Sequence, residues 1–144
     1  MRIAMIEAEK ALSRNEVPVG AVLVDGTTGG VMAASGNRVE ELKDPTAHAE
    51  MLVIRQACAT AGAARLSGHD LYVTLEPCAM CAAAISFARI RRLYFGAYDA
   101  KGGAVEHGPR FFEIPTCHHR PQIYGGVDET SARDMLTAFF RDRR

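Results

Sequence analysis

The stretch Leu71-Tyr-Val-Thr-Leu-Glu-Pro-Cys-Ala-Met-Cys81 decides the fold. Its first half, Leu71 to Leu75, is a compact run of apolar and β-branched residues of strand length. Pro77 comes next, and its fixed φ and missing N–H suit the first turn of a helix. A helix through Ala79–Ala88 is therefore expected, then a short strand from Leu93 to Phe95 ended by Gly96. A strand, a helix and a strand in succession make a crossover unit, which places two parallel strands in one sheet.

Towards the N-terminus, residues 3–12 carry apolar side chains at roughly helical spacing. Val17–Val24 and Val31–Ala34 are β-branched runs on either side of Asp25-Gly-Thr-Thr-Gly-Gly30, the pattern of an antiparallel hairpin with a longer loop. Ala47, Met51, Ile54, Cys58 and Ala61 repeat at helical spacing, with Thr46 as the expected N-cap. Cys58 falls on the apolar face and is expected to be a buried small hydrophobe.

Towards the C-terminus, residues 97–121 are rich in glycine, proline and histidine, which suggests a long functional loop with one helical turn. Ala132, Met135, Leu136, Phe139 and Phe140 then give an amphipathic helix over 128–141, packed by that face. The whole order predicts one α/β domain over 1–144. It is a three-layer α/β/α sandwich on a mixed central sheet of about five strands, with the hairpin supplying the antiparallel part.

At 144 residues the chain has the length of one domain and can bury a core without disulfides. Apolar residues are 48% and charged residues 24%, a globular balance that argues against disorder. Seventeen basic residues against seventeen acidic ones exclude a broadly polycationic nucleic-acid coat protein, yet leave room for a local basic patch. Up to Asp70 there are seven basic and nine acidic residues; from Leu71 onward there are ten and eight, so the basic surplus lies in the second half. No apolar run approaches the roughly 18 residues of a membrane helix, and the start lacks a signal-peptide core. A cytoplasmic location without membrane association is expected. Four cysteines in that compartment point to metal binding or catalysis more than to disulfides.

Two strings carry the chemistry: His48-Ala49-Glu50 and Pro77-Cys-Ala-Met-Cys81. A Cys-x-x-Cys pair at a helix start brings two thiols onto one turn, and the helix N-terminus favours their thiolates. By itself such a pair also fits a redox couple or half of a structural zinc site. Adding His48 gives three ligands and leaves one tetrahedral position open, which marks a catalytic zinc rather than a structural one. Glu50 then stands as a carboxylate beside that open position, able to move a proton without binding metal. The order H-x-E followed by P-C-x-x-C is the general signature of zinc nucleobase deaminases.

With Glu16-Val-Pro-Val-Gly-Ala-Val-Leu-Val24, Asp44-Pro-Thr-Ala-His-Ala-Glu50, Arg89-Ile-Arg91, Phe95-Gly-Ala97, Asp99-Ala-Lys101 and Phe139-Phe-Arg141 added, the chain resembles the bacterial tRNA-specific adenosine deaminases (the TadA family) nearly end to end. The resemblance implies a cytidine deaminase-like fold and a homodimer. The activity it implies is conversion of the wobble adenosine of a tRNA anticodon stem-loop to inosine. It places one Zn2+ per subunit on His48, Cys78 and Cys81, with Glu50 as proton shuttle. Substrate contacts would come from Val19, Asn37, Asp99, Lys101, His118, Phe140 and Arg141. Many relatives carry Asn-His where this chain has His118-His119.

Cys117-His118-His119 offers a second set of potential ligands, but a metal-free loop near the substrate is the simpler expectation because the zinc set is already complete. Two competing readings share the zinc site. One is a deaminase of a free nucleobase or nucleoside, such as guanine or cytosine; the other is a catalytically silent zinc module. Asp99, Lys101 and the arginine-ended tail favour RNA over a free base, and Glu50 favours an enzyme over a silent module.

Overall fold

A computed structural model describes all residues from Met1 to Arg144. In chain order the elements are α1 (Arg2–Ser13), β1 (Gly20–Asp25), β2 (Val31–Gly36), α2 (Val39–Leu42), α3 (Ala49–Ala61), β3 (His69–Leu75), α4 (Ala79–Phe87), β4 (Arg92–Ala97), a 3-10 turn (Phe111–Glu113), β5 (Gln122–Tyr124) and α5 (Glu129–Arg141). The five strands form one sheet in the order β2-β1-β3-β4-β5. β1 runs antiparallel to both β2 and β3, while β3, β4 and β5 are parallel. The expected mixed sheet and its antiparallel hairpin are both present.

Helices cover both faces. Gly20 and Gly36 lie opposite each other across β1 and β2, and their missing side chains let α1 settle on the sheet; a Cβ at Gly36 would stand 2.5 Å from the Glu7 carbonyl oxygen. Gly96 was expected to end its strand, yet it lies inside β4. Its role is close approach: a Cβ there would meet the Thr74 carbonyl oxygen at 2.6 Å and Ala132 of α5 at 3.1 Å. On the other face, α3 and α4 bury Val53, Ile54, Ala57, Ala82 and Ile85 in a core shared with Leu23, Leu71, Val73, Leu93 and Phe95.

Some local expectations are corrected. α3 does not start at Thr46, whose N–H and hydroxyl both donate to Asp44 Oδ1 at 2.8 and 2.7 Å; His48 holds the N-cap position. Pro77 lies just outside α4, because Cys78 is the extended N-cap, at φ −73° and ψ 175°. Phe140 is 49% exposed, since the buried stripe of α5 is narrower than the apolar pattern and consists of Ala132, Leu136 and Phe139. Cys58 is half-buried at the edge of the core. The four-residue α2 had no periodic signal to announce it, being too short for one.

The topology gathers the chemistry at one end of the sheet. Because β1 is antiparallel to β2 and β3, the start of β1, the end of β2 and the end of β3 coincide, and parallel β4 ends beside them. Val19, Asn37, Glu76–Cys78 and Asp99 follow or precede those strand ends directly. Clefts at the carboxyl ends of parallel strands are the usual ligand sites of such sheets.

Candidate active site

Two helix N-termini meet at this end. His48 is the N-cap of α3 and Cys78 the N-cap of α4, both in extended backbone. Cys81 is three residues further along α4, so the two sulfurs occupy the positions whose side chains converge in a capping box. His48 Nδ1 stands 3.7 Å from Cys78 Sγ and 3.6 Å from Cys81 Sγ, and all three ligand atoms lie within 4.8 Å of one another. A tetrahedral zinc with Zn–S of about 2.3 Å and Zn–N of about 2.0–2.1 Å has S···N edges of about 3.6 Å. The three donors therefore already span one face of a zinc tetrahedron. Cys78 and His48 line a cavity of about 700 Å³, so the fourth corner opens on space for a substrate.

The ionisation of the site suits a divalent cation. A hydrogen bond from Cys81 holds the Cys78 thiol down at about 4, against burial, and the same bond with burial pushes Cys81 up. The pair keeps one thiolate ready, and a cation binding there displaces the second proton. A hydrogen bond with Cys78 raises His48.

Glu50 is 4% exposed in the first turn of α3 and faces the same cavity. Burial pushes its carboxyl up to about 7, reinforced by the Cys78 thiolate and opposed by His48 and Cys81. A carboxyl poised near neutral pH can both take up and give back a proton, which is the demand on a shuttle.

Since the N-cap side chain of α3 faces the metal corner, it makes no capping hydrogen bond. Asn37 substitutes for it: its Oδ1 accepts the Ala49 N–H at 2.9 Å. The acceptor half of that amide is thus engaged, and the NH2 half is the part left for a ligand. Val19 lines the cavity wall at 5% exposure, and Phe139 closes another side with Arg143 stacked 3.5 Å above its ring centroid. Asp99 lines the cavity too, and its Oδ1 accepts the Lys101 and Gly102 N–H groups at 3.0 Å each, shaping the turn that exposes Lys101.

Phe140 and Arg141 line a second cavity of about 440 Å³, which shares Leu75 and Asp99 with the first. His118 lines neither. Its neighbours Cys117 and His119 pack against α4 at the far end of the sheet, where Ser86 Oγ donates to the His119 carbonyl at 2.8 Å. Expectation and structure part there: within this chain the 117–119 segment is remote from the zinc corner.

Glu76 is the residue that the motif reading passed over. Its side chain is fully buried, and Oε1 accepts the N–H groups of Val105, Glu106 and His107 at 3.2, 2.8 and 3.0 Å. Oε2 takes the Asp99 N–H at 2.9 Å and pairs with His107 Nδ1 at 2.8 Å. One carboxylate two residues before Cys78 thus folds the whole 98–107 loop onto the metal corner. These bonds outweigh the burial that opposes them and hold its pKa below the usual carboxylate range. The visible signal was an acid directly before Pro77 at a strand end, where nothing else explained one.

Gly103 touches the same clamp. A Cβ there would stand 2.5 Å from Glu76 Cδ and 2.5 Å from the Asp99 carbonyl oxygen. Gly103→Ala is expected to lower the melting temperature by several degrees and to raise KM; unchanged values of both contradict the clamp.

A mixed five-stranded sheet, His and two Cys on converging helix N-termini, and a buried carboxyl at the open corner define a zinc-dependent deaminase. The comparisons agree and narrow the class. The cytidine and deoxycytidylate deaminase zinc-binding region matches residues 1–97. The tRNA-specific adenosine deaminase of Agrobacterium fabrum is 62% identical over 144 residues, covering all of this chain and 93% of that one. That of Bacillus subtilis is 44% identical over 144 residues, covering all of this chain and 88% of that one. A structure solved in a study of A-to-I editing by tRNA:A34 deaminases superposes with a TM-score of 0.92 at 62% identity, covering 94% of this chain and 97% of that one. The guanine deaminase of Bacillus subtilis shares the fold at a TM-score of 0.64 and 30% identity, covering 97% and 90%. The chain belongs to the family of tRNA-specific adenosine deaminases, within the zinc-binding cytidine and deoxycytidylate deaminases.

Proposed function

We propose that this chain deaminates the wobble adenosine of a tRNA anticodon loop, adding water at C6 of the base and releasing ammonia to leave inosine. The observation that carries the RNA assignment is the second cavity. It opens from the first through Leu75 and Asp99 and is edged by Arg133, Arg141 and Arg144. A free base fills one pocket and needs no arginine-edged extension; a nucleotide within a strand has flanking phosphates to place there. An anticodon loop also presents its bases unpaired, so moving one into the pocket costs little unstacking.

Zinc held by His48, Cys78 and Cys81 supplies the Lewis acid that makes water nucleophilic near neutral pH. Glu50 takes a proton from the attacking water and returns one to the exocyclic nitrogen as ammonia leaves. The Asn37 NH2 group donates to an acceptor on the base edge, and Val19 and Phe139 wall the ring. Asp99 shapes the loop that presents Lys101, and Lys101 and Arg141 meet the neighbouring phosphates, with Phe140 beside them for stacking.

Two substitutions test these roles. Asn37→Asp keeps the oxygen for the Ala49 N–H and loses the donor, so the melting temperature should hold. kcat/KM should fall about tenfold, as for one lost hydrogen bond of ~1.5 kcal/mol; full activity contradicts the contact. Lys101→Ala should raise KM for tRNA and flatten its salt dependence by roughly 0.7–0.9 in log–log slope, with zinc content unchanged. Identical RNA kinetics across a salt range count against the RNA assignment.

The reading includes a homodimer acting in the cytoplasm as one domain per chain. Phe87 of α4 is 71% exposed, next to the half-buried Ala83 and Ala84 on the same helix, and an apolar face of that kind favours burial against a second copy. No helix is long and apolar enough to cross a membrane. Sedimentation at micromolar concentration should show a dimer; a monomer contradicts this.

A further inference from the structure

At the opposite end of the sheet from the zinc corner lies a cavity of about 470 Å³ without one apolar or acidic side chain in its lining. Arg65, Arg89, Arg91, Arg120, His119 and Gln122 surround it. Gln122 opens β5, and the others come from three separate connections: the segment after α3, the turn after α4 and the segment before β5. Arg91 is engaged, donating to Asp70 Oδ1 and Oδ2 at 2.9 and 2.7 Å. Arg65, Arg89 and Arg120 make no ion pair and no side-chain hydrogen bond within the chain. Three unpaired guanidiniums therefore share one concavity in a protein whose formal charge is zero.

The backbone beneath them is stitched together. His119 Nε2 pairs with the Ile90 carbonyl at 2.6 Å, Ser86 Oγ donates to the His119 carbonyl at 2.8 Å, and the Gln122 N–H donates to the Arg91 carbonyl at 2.9 Å. Arg89 stands in the left-handed region at φ 61°, a conformation that survives because those bonds over-determine the turn. The guanidiniums project from a fixed floor, which lowers the ordering cost of binding an anion.

We propose that this cavity binds phosphates of the tRNA backbone outside the anticodon stem-loop, an inference that rests on the tRNA assignment above. Guanidinium forks match phosphate oxygens in pairs. The lining has no hydrophobic residue, and so no apolar anchor of the kind that centres a protein interface and no apolar wall of the kind that encloses a small ligand. β3 spans seven residues, about 23 Å, between the two ends of the sheet. Nucleotides held here therefore lie well away from the one at the zinc corner.

The test compares the parent with the Arg65→Ala/Arg120→Ala double variant, both side chains being exposed and without internal partners. Each protein is assayed on full-length tRNA and on a minimal anticodon stem-loop across a salt series. The expected result is a KM for full-length tRNA raised at least about fivefold at low salt. The log–log salt slope should fall by about 1.4–1.8, one increment of roughly 0.7–0.9 per lost phosphate contact, with kcat and stem-loop kinetics unchanged. Equal KM and slope for parent and variant on full-length tRNA overturn the site while leaving the deaminase assignment intact. Equal losses on both RNAs also overturn it, because they place the arginines against the stem-loop itself. A parent inactive on both RNAs fails earlier, at the tRNA assignment itself.

Discussion

Replacing Glu50 by alanine should leave the chain folded and zinc bound while slowing deamination by roughly 10²–10⁴-fold, the range for removing a positioned general acid–base group. The expectation follows from separation of roles. His48, Cys78 and Cys81 supply the ligand triangle without Glu50, so zinc stoichiometry should not change. What disappears is the buried carboxyl of α3 that faces the open corner.

The raised Glu50 pKa also has a stability consequence. Glu50 ionises at about 7 in the folded protein against an ordinary 4.5, so between those values the folded chain holds a proton that the unfolded chain has released. Stability from this group is then fully present below about 4.5 and declines as the pH rises through about 7. The melting temperature of metal-free Glu50→Ala, measured against the metal-free parent, should therefore improve in relative terms over that interval. A variant that turns over substrate at the parental rate, with zinc in place, contradicts the shuttle.

Loss of one ligand should be as severe, by a different route. Cys81 is fully buried and stands 3.6 Å from His48 Nδ1, at a corner no other Cys, His, Asp or Glu occupies. Cys81→Ser is expected to carry less than about a tenth of an equivalent of zinc after dialysis and to show no measurable deamination, since a hydroxyl is a far weaker zinc ligand than a thiolate. Chelation should reproduce the loss in the parent, and added zinc should restore the parent alone. Zinc should also raise the melting temperature of the parent and not of the variant, because a ligand that binds only the folded state stabilises it. One equivalent of zinc retained by Cys81→Ser, with activity, contradicts the three-ligand site.

Much of this was legible in the residues because metal chemistry restricts residue type so tightly. His48, Cys78 and Cys81 come from two short strings whose directions a helix start sets locally, and the one long-range step, bringing His48 to the two cysteines, follows from the ligand set that zinc demands. The strand–helix–strand order around Pro77 fixed the parallel part of the sheet in the same way. Features that depended on three-dimensional competition were misjudged. Thr46 has the composition of an N-cap, but Asp44 captures both of its donors and His48 takes the position. Phe140 satisfies the helical period, yet the sheet receives only the stripe through Ala132, Leu136 and Phe139. Glu76 was hidden because all but one of its partners, the His107 ring, are backbone N–H groups, which leave no trace in residue identity, and all of them lie more than twenty residues away. The position of the 117–119 segment depends on how the long loop returns to β5, which composition does not encode.

The most direct test of the central claim follows inosine formation and ammonia release by the zinc-loaded protein. The substrates are an anticodon stem-loop with adenosine at the wobble position, the same stem-loop with guanosine there, and free adenosine, cytidine and guanine. Inosine at the wobble position of the first RNA, with no release from the free compounds, is the expected result. Turnover of a free base or nucleoside with the stem-loop untouched would contradict it, retaining the zinc corner and Glu50 but removing the role given to the arginine-edged cavity.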